Sequence, residues 1–210
     1  MTDNDIKILS ITSADELAGF SLEGWFSETS GYRPLLSGMD DLLRVSEKED
    51  TALVIATENG GGIVGFALLE PPLPDERWAR LGKGLIYEVT ALEVCQDWRS
   101  QGLSKRVLQL LVNGCDPEQK LLYMVGYSWT WDLDGKGLDP ISYRDMLIRL
   151  FSSQGFEIYK TNEPNVVMRP ENLLMARRGR LLPEAVVKRF KLLRFDLDRI
   201  DQPAEMALGV

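Results

Sequence analysis

The chain contains no histidine among its 210 residues, and this absence excludes more than any residue present. Ser-His-Asp triads, Cys-His dyads and the His-bearing zinc sites of metalloproteases and zinc fingers all need an imidazole. A general base must then be a carboxylate, a lysine, a tyrosine or main chain. Cysteine is scarce as well. Cys95 and Cys115 form no C-x-x-C pair, which predicts a reducing compartment and no disulfide framework. No apolar run approaches the roughly 18 residues that a membrane-spanning helix needs. The opening MTDNDIKILS lacks the basic-then-apolar plan of an export signal, so a cytoplasmic location is expected.

Positive charge is also in deficit. With 24 basic and 32 acidic residues the net charge is −8, a poor balance for nucleic acid or an anionic membrane. One stretch departs from it: residues 169–194 hold eight basic residues and two acidic ones. That stretch reads either as a solvated helix face or as a dock for an acidic protein surface. No aromatic platform accompanies it, so a nucleic-acid partner is not expected. The length suits one domain with a core that needs no staples.

Hydrophobic patterning gives the element order. A strand is expected over Ile6–Ile11, a helix from Ser13 with Glu16 completing a capping box, and a loop over Thr29–Ser37. A helix follows over Asp40–Lys48, then a hairpin of Thr51–Thr57 and Ile63–Leu69 about Asn59-Gly60-Gly61-Gly62. After a loop with three prolines, the strongest strand runs from Leu85 to Val94, a helix from Gln101 to Asn113 and a strand from Leu121 to Trp129. A helix from Ile141 to Ser153, strands at Phe156–Lys160 and Asn172–Ala176, and a last helix from Pro183 to about Phe195 complete the order. The tail QPAEMALGV is expected to be loose. This is a mixed α/β sheet covered by helices, without a regular βαβ repeat.

Two patterns mislead. Gly60, Gly62 and Gly65 satisfy G-x-G-x-x-G, but a strand follows where a dinucleotide site needs a helix. The run Asp132–Gly135 hints at a calcium loop, yet an EF-hand frame puts Thr130 and Ile141 where carboxylates belong. No metal site is expected.

The stretch that carries chemistry is Leu85–Val112, where a strong strand enters the polar turn Arg99-Ser100-Gln101-Gly102-Leu103-Ser104 and then a helix. Amides at a helix start lack internal partners, and the helix dipole adds partial positive charge there. Gly102 lets main chain approach a bulky anion closely, so the turn suits a pyrophosphate, with Arg99, Lys105 or Arg106 adding charge. The same residues also fit an ordinary strand–turn–helix.

This turn resembles the Q/R-x-x-G-x-G/A motif of the GNAT superfamily of N-acyltransferases, with Arg99, Gly102 and Ser104 at its fixed positions and Ser as a departure at the last. The element order resembles GNAT along most of the chain. The runs WTWDLDG, YRDM, NEPN, NLLMARRG and LLRF are similar to the acetoin-utilisation acetyltransferases within that superfamily. The resemblance implies a GNAT α/β (α+β) fold, with a mixed, mostly antiparallel sheet and helices on both faces. Residues 1–182 would form the acetyltransferase domain and 183–210 an extra C-terminal helix and tail packed on it.

It also implies a cytoplasmic acetyl-CoA-dependent lysine N-acetyltransferase, monomer or homodimer, with acetyl-CoA synthetase as protein substrate. Acetyl-CoA would lie on Leu92, Val94, Arg99, Ser100, Gln101, Gly102, Leu103, Ser104 and Lys105. Many GNAT enzymes place a general-base glutamate eleven residues before the motif, the position of Glu88 here, with Glu93 as second candidate. Strict alternation puts these two carboxylates on opposite faces of the strand, although the family often bulges it. The family's usual tyrosine acid, in Y-x-x-x-G-F, is Phe151 here, which leaves Tyr143, Tyr127 or water to serve. Trp129, Trp131 and Asp132 would wall the acceptor site, with Asp132, Asp134 or Asp139 attracting a cation, or else pack as aromatics with a polar cap. The rivals are a small-molecule amine N-acetyltransferase and a catalytically silent acyl-CoA-binding regulator.

Overall fold

The segment with the least alternation lies at the centre of the sheet. Residues Gly62–Leu69 of β4 (Gly62–Glu70) are all buried, as expected for a strand covered on both faces. The computed structural model describes residues 6–22, 36, 38–58, 60–134 and 137–198. Around β4 lie β1 (Lys7–Ile11), β2 (Ser21–Leu22), β3 (Ala52–Thr57), β5 (Ile86–Val94), β6 (Leu121–Gly126), β7 (Glu157–Tyr159) and β8 (Leu173–Arg178). They form one sheet in the order β1-β3-β4-β5-β6-β8-β7, with the short β2 paired on β4. Only β2–β4 and β5–β6 run parallel among these pairs. The expected loop at residues 29–37 (Leu36 apart), the turn residue Asn59, Gly135 and the tail lie outside the described residues.

The helices are α1 (Ala14–Leu17), α2 (Met39–Ser46), α3 (Leu103–Asn113), α4 (Pro140–Ser152), α5 (Pro164–Val167) and α6 (Glu184–Leu193). They divide the core by face. On one face Val107, Leu108, Leu111 and Val112 of α3 and Phe151 of α4 pack against Val54, Ala67, Leu69, Val89 and Met124. On the other, Leu17 and Leu42 cover Leu53, Ile55, Phe66 and Leu68. There Phe190 and Leu193 of α6 join Trp78, Ile86 and Tyr123. Among the described residues no helix is long and apolar enough to cross a membrane.

Local chemistry adjusts the expected boundaries. The capping box slides one residue upstream. Ser13 makes no side-chain cap, and Glu16 instead accepts from the Thr12 amide (2.9 Å) and hydroxyl (2.6 Å). The proline-bearing loop contains a 3-10 turn at Arg77–Leu81, which buries Trp78 and Leu81. The strand expected to reach Trp129 ends at Gly126, where a Cβ would come within 2.6 Å of Leu173 and 3.2 Å of the Trp131 ring. The glycine triad is a hairpin, with Gly60 and Gly61 at φ +106° and +89°. Two short elements, β2 and α5, have no sequence pattern long enough to show periodicity.

Candidate active site

The site begins where two parallel strands part. β5 and β6 pair only at Ile86–Leu121, Tyr87–Leu122 and Glu88–Tyr123. Beyond Glu88 they diverge, so among the described residues the β5 edge facing β6 has no strand partner from Val89 onward. A cleft of about 360 Å³ opens there, lined by Glu88–Glu93 on one side and Met124–Tyr127 with Trp131 on the other. A second lobe of about 340 Å³ lies against Val94, Arg99, Ser100, Gly102, Ser104 and Lys105. Leu92, Glu93, Tyr143 and Leu147 line both lobes, which makes them one continuous groove.

A bulge decides which way the carboxylates point. Leu68 pairs with Ala91 but Leu69 pairs with Val89, which leaves Thr90 as an extra residue on β5. The extra residue inverts the alternation. Glu88 pairs with Glu70 and Glu93 with Phe66, on the face opposite Leu69 and Ala67. The two glutamates therefore share a face, against the strict alternation of the sequence.

Glu88 sits at the fork. Burial pushes its carboxyl up to about 7, with Glu76 and Glu70 adding to the shift and the Tyr123 hydroxyl and Val125 amide opposing it. Glu70 is itself engaged, by Lys48 at 2.7 Å and the Thr90 hydroxyl at 2.8 Å. Burial also raises Tyr127 and Tyr143 to about 12, so both hydroxyls keep their protons near neutrality.

The turn after β5 has the shape of an anion cradle. Ser100 and Gly102 take φ of +66° and +74°, and Gly102 stands at the N-cap of α3 with no side chain bonding the helix amides. A Cβ on Gly102 would meet nothing within 4 Å, so the glycine serves backbone conformation and leaves open space before the helix. Lys105 and Ser104 line the groove, the Gln101 amide turns back to the Asp97 carbonyl at 3.2 Å, and Leu103 is buried in the core.

Arg99 lines the second lobe beside the turn and is also bonded within the chain. Its Nε donates to the Val94 carbonyl (2.9 Å) and its guanidinium pairs with Asp132 (2.6 Å). Asp132 is thereby spoken for, and Asp139 caps α4 by accepting from the amides of Ile141 (2.9 Å) and Ser142 (3.1 Å). Trp131 stacks on Tyr143 with ring centres 5.1 Å apart, and so walls the groove. Trp129 stands outside the lining, 48% exposed, stacked on Tyr127 at 4.9 Å with the Arg169 guanidinium over it at 5.7 Å. Sequence reading missed Tyr123, Glu76 and Glu163. Tyr123 lies inside an apolar strand and the other two lie outside the strands, so only the fold brings Tyr123 and Glu76 to Glu88 and Glu163 to Arg77.

No family model matches the chain. It is 28% identical over 183 residues to the acetoin utilization protein AcuA of Bacillus subtilis, covering 87% of this chain and 85% of that one. The crystal structure of an acetoin utilization protein from Exiguobacterium sibiricum superposes with a TM-score of 0.79 at 25% identity, covering 96% of this chain and all of that one. The diaminobutyrate acetyltransferase EctA of Paenibacillus lautus, solved with its substrate and coenzyme A, superposes with a TM-score of 0.53 at 16% identity, over 85% of this chain and 97% of its own. The fold is that of the GNAT acetyltransferases.

Proposed function

We propose that this chain is an acetyl-CoA-dependent protein lysine N-acetyltransferase that transfers acetyl directly within a ternary complex, with Glu88 as general base. The observation that carries the reading is the position of Glu88, a carboxyl poised at about 7 where a groove leading from an anion-shaped turn meets the fork of the sheet. The cofactor phosphates would meet the helix amides at Gly102–Lys105, and the pantetheine amides the unpartnered β5 edge at Leu92 and Val94.

An acceptor lysine, with an ordinary pKa of about 10.4, must lose a proton before it can attack the thioester. Among the described residues, Glu76 and Glu163 lie near one another beside the fork, with Arg77 paired to Glu163, and together with Glu88 they make that side attractive to an ammonium group. Glu88 takes the proton, edge amides of β5 polarise the carbonyl, and the nitrogen–carbon bond forms as the carbon–sulfur bond breaks. Tyr143, at the junction of the two lobes, is placed to protonate the leaving thiolate. Holding amine and thioester together supplies much of the acceleration.

The acceptor protein we propose is acetyl-CoA synthetase, supported by the likeness to acetoin utilization proteins. The basic stretch is largely consumed within the chain. Arg177 and Arg180 hold Glu118, Lys188 pairs with Glu184, and Arg194 lies over Tyr159 and Phe190. The test is transfer of labelled acetyl to purified acetyl-CoA synthetase beside a panel of small amines. Label on one synthetase lysine is expected. Label on small amines alone would make the enzyme a small-molecule transferase. No label anywhere, with acetyl-CoA still bound, would make the chain a silent acyl-CoA sensor.

A further inference from the structure

Among the described residues, Thr90 is the one position of β5 with no register partner on either side. Val89 and Ala91 pair with Leu69 and Leu68 of β4, and pairing with β6 stops at Glu88. The main chain at this extra residue lacks the ladder that holds the rest of the strand. Its side chain supplies a different tie. The Thr90 hydroxyl donates to one carboxylate oxygen of Glu70 at 2.8 Å, and the other oxygen accepts from the Lys48 ammonium at 2.7 Å. Glu70 ends β4 and pairs with Glu88, so the tie crosses from β4 to the strand that carries the base.

The place of the bulge in the strand gives this tie its consequence. Pairing with β6 fixes Glu88 on one side of the extra residue. On the other side, the register from Ala91 to Val94 decides which edge groups meet the cleft and which face carries Glu93. Moving the extra residue beyond Glu93 would return Glu93 to the opposite face and turn the edge at Leu92. Thr90 lines the cleft, whereas Glu70 and Lys48 line a separate cavity of about 470 Å³ beside the proline-bearing loop. Without its two donors the Glu70 carboxylate would be free to turn into that cavity. Side-chain shape is not what position 90 needs, because valine branches in the same way and suits a strand as well. Only the hydroxyl makes the tie.

We propose that Thr90 is a positioning residue for acetyl transfer: its hydroxyl, anchored on the Glu70–Lys48 pair, pins the bulge of β5 and so sets the strand edge that meets the thioester and the face that carries Glu93. This deepens the acetyltransferase reading and rests on it. Thr90 acts through the strand edge, and no bond to it is made or broken in the reaction.

The experiment is initial-rate acetyl transfer at pH 8, above the Glu88 titration, for the wild type, Thr90→Val, Thr90→Ser, Glu70→Met and the double variant Thr90→Val/Glu70→Met. Thermal melting and the backbone amide NMR shifts of Ala91–Val94 in the ligand-free proteins are recorded beside it. Thr90→Val should lower kcat about tenfold with a smaller rise in KM for acetyl-CoA, since a misplaced edge costs reacting geometry more than binding. Thr90→Ser, which keeps the hydroxyl, should stay within about threefold of the wild type. Glu70→Met should lose about as much as Thr90→Val, and the double variant no more than either, as two residues of one tie require. The amides should shift in Thr90→Val and stay in place in Thr90→Ser. A merely structural threonine would lower the melting temperature and leave kcat of the folded enzyme unchanged. Additive losses in the double variant would overturn the tie. A wild type that acetylates no amine overturns the function and the positioning role with it. An active wild type whose kcat and amide shifts survive Thr90→Val overturns the positioning role alone.

Discussion

Arg99 and Asp132 form an ion pair of 2.6 Å across 33 residues of sequence, with both side chains largely buried. The pair ties the turn before α3 to the segment after β6, and the Arg99 Nε bond to the Val94 carbonyl ties the same turn to the end of β5. The arginine of the motif therefore shapes the groove by joining its walls.

Removing one partner strands the other in a poorly solvated place. Asp132→Asn should destabilise the fold by about 3 kcal/mol and raise KM for acetyl-CoA. Arg99→Lys should behave similarly, because a single ammonium cannot make both bonds. Denaturant titration with initial-rate kinetics checks both, and a wild-type KM in Asp132→Asn would contradict this role.

Glu88 links activity and stability through one titration. A carboxyl with a folded pKa of about 7, above its unfolded value near 4.5, stabilises the fold fully only below the unfolded value. That contribution is lost as pH rises through about 7. Transfer needs the ionised form, so kcat/KM should fall below about pH 7 with unit slope. Glu88→Gln should be more stable than the wild type at pH 8 by about 2–3 kcal/mol and show no such advantage at pH 4. Chemical denaturation at the two pH values measures it.

Tyr143 meets both lobes and keeps its proton to about pH 12. Tyr143→Phe should lower kcat by about tenfold to a hundredfold with KM for acetyl-CoA little changed, since it removes a donor needed only as the thiolate leaves. Tyr127→Phe should do much less. Equal losses in the two variants would remove the distinction between them.

Gly102 stands at φ +74° before open space. Gly102→Ala should cost about 1–2 kcal/mol of stability from backbone strain. It should also weaken acetyl-CoA binding, as measured by calorimetry, because the new methyl projects where phosphates would lie.

Much of this was legible in the residues. The alternation of Leu85–Val94, the apolar face of α3 and the turn with Gly102 marked the strand, the turn and the helix nearly to the residue. The orientation of Glu93 was not legible, because it depends on one extra residue, Thr90, which shows only in the β4 register. The roles of Arg99 and Asp132 were likewise hidden, since a long-range ion pair leaves no local pattern. Tyr123 looked like one more apolar strand position, and Glu76 like a loop carboxylate. Their meeting with Glu88 is made by strand pairing and by the packing of Trp78.

The most direct measurement is single-turnover acetyl transfer with the wild type and Glu88→Gln at pH 8, with acetyl-CoA affinity determined in parallel. A slowing of about a hundredfold or more at unchanged affinity is predicted, because the base acts on the amine and takes no part in holding the cofactor. Equal rates in the two proteins would contradict it and return the assignment of the base to Glu93 or to water.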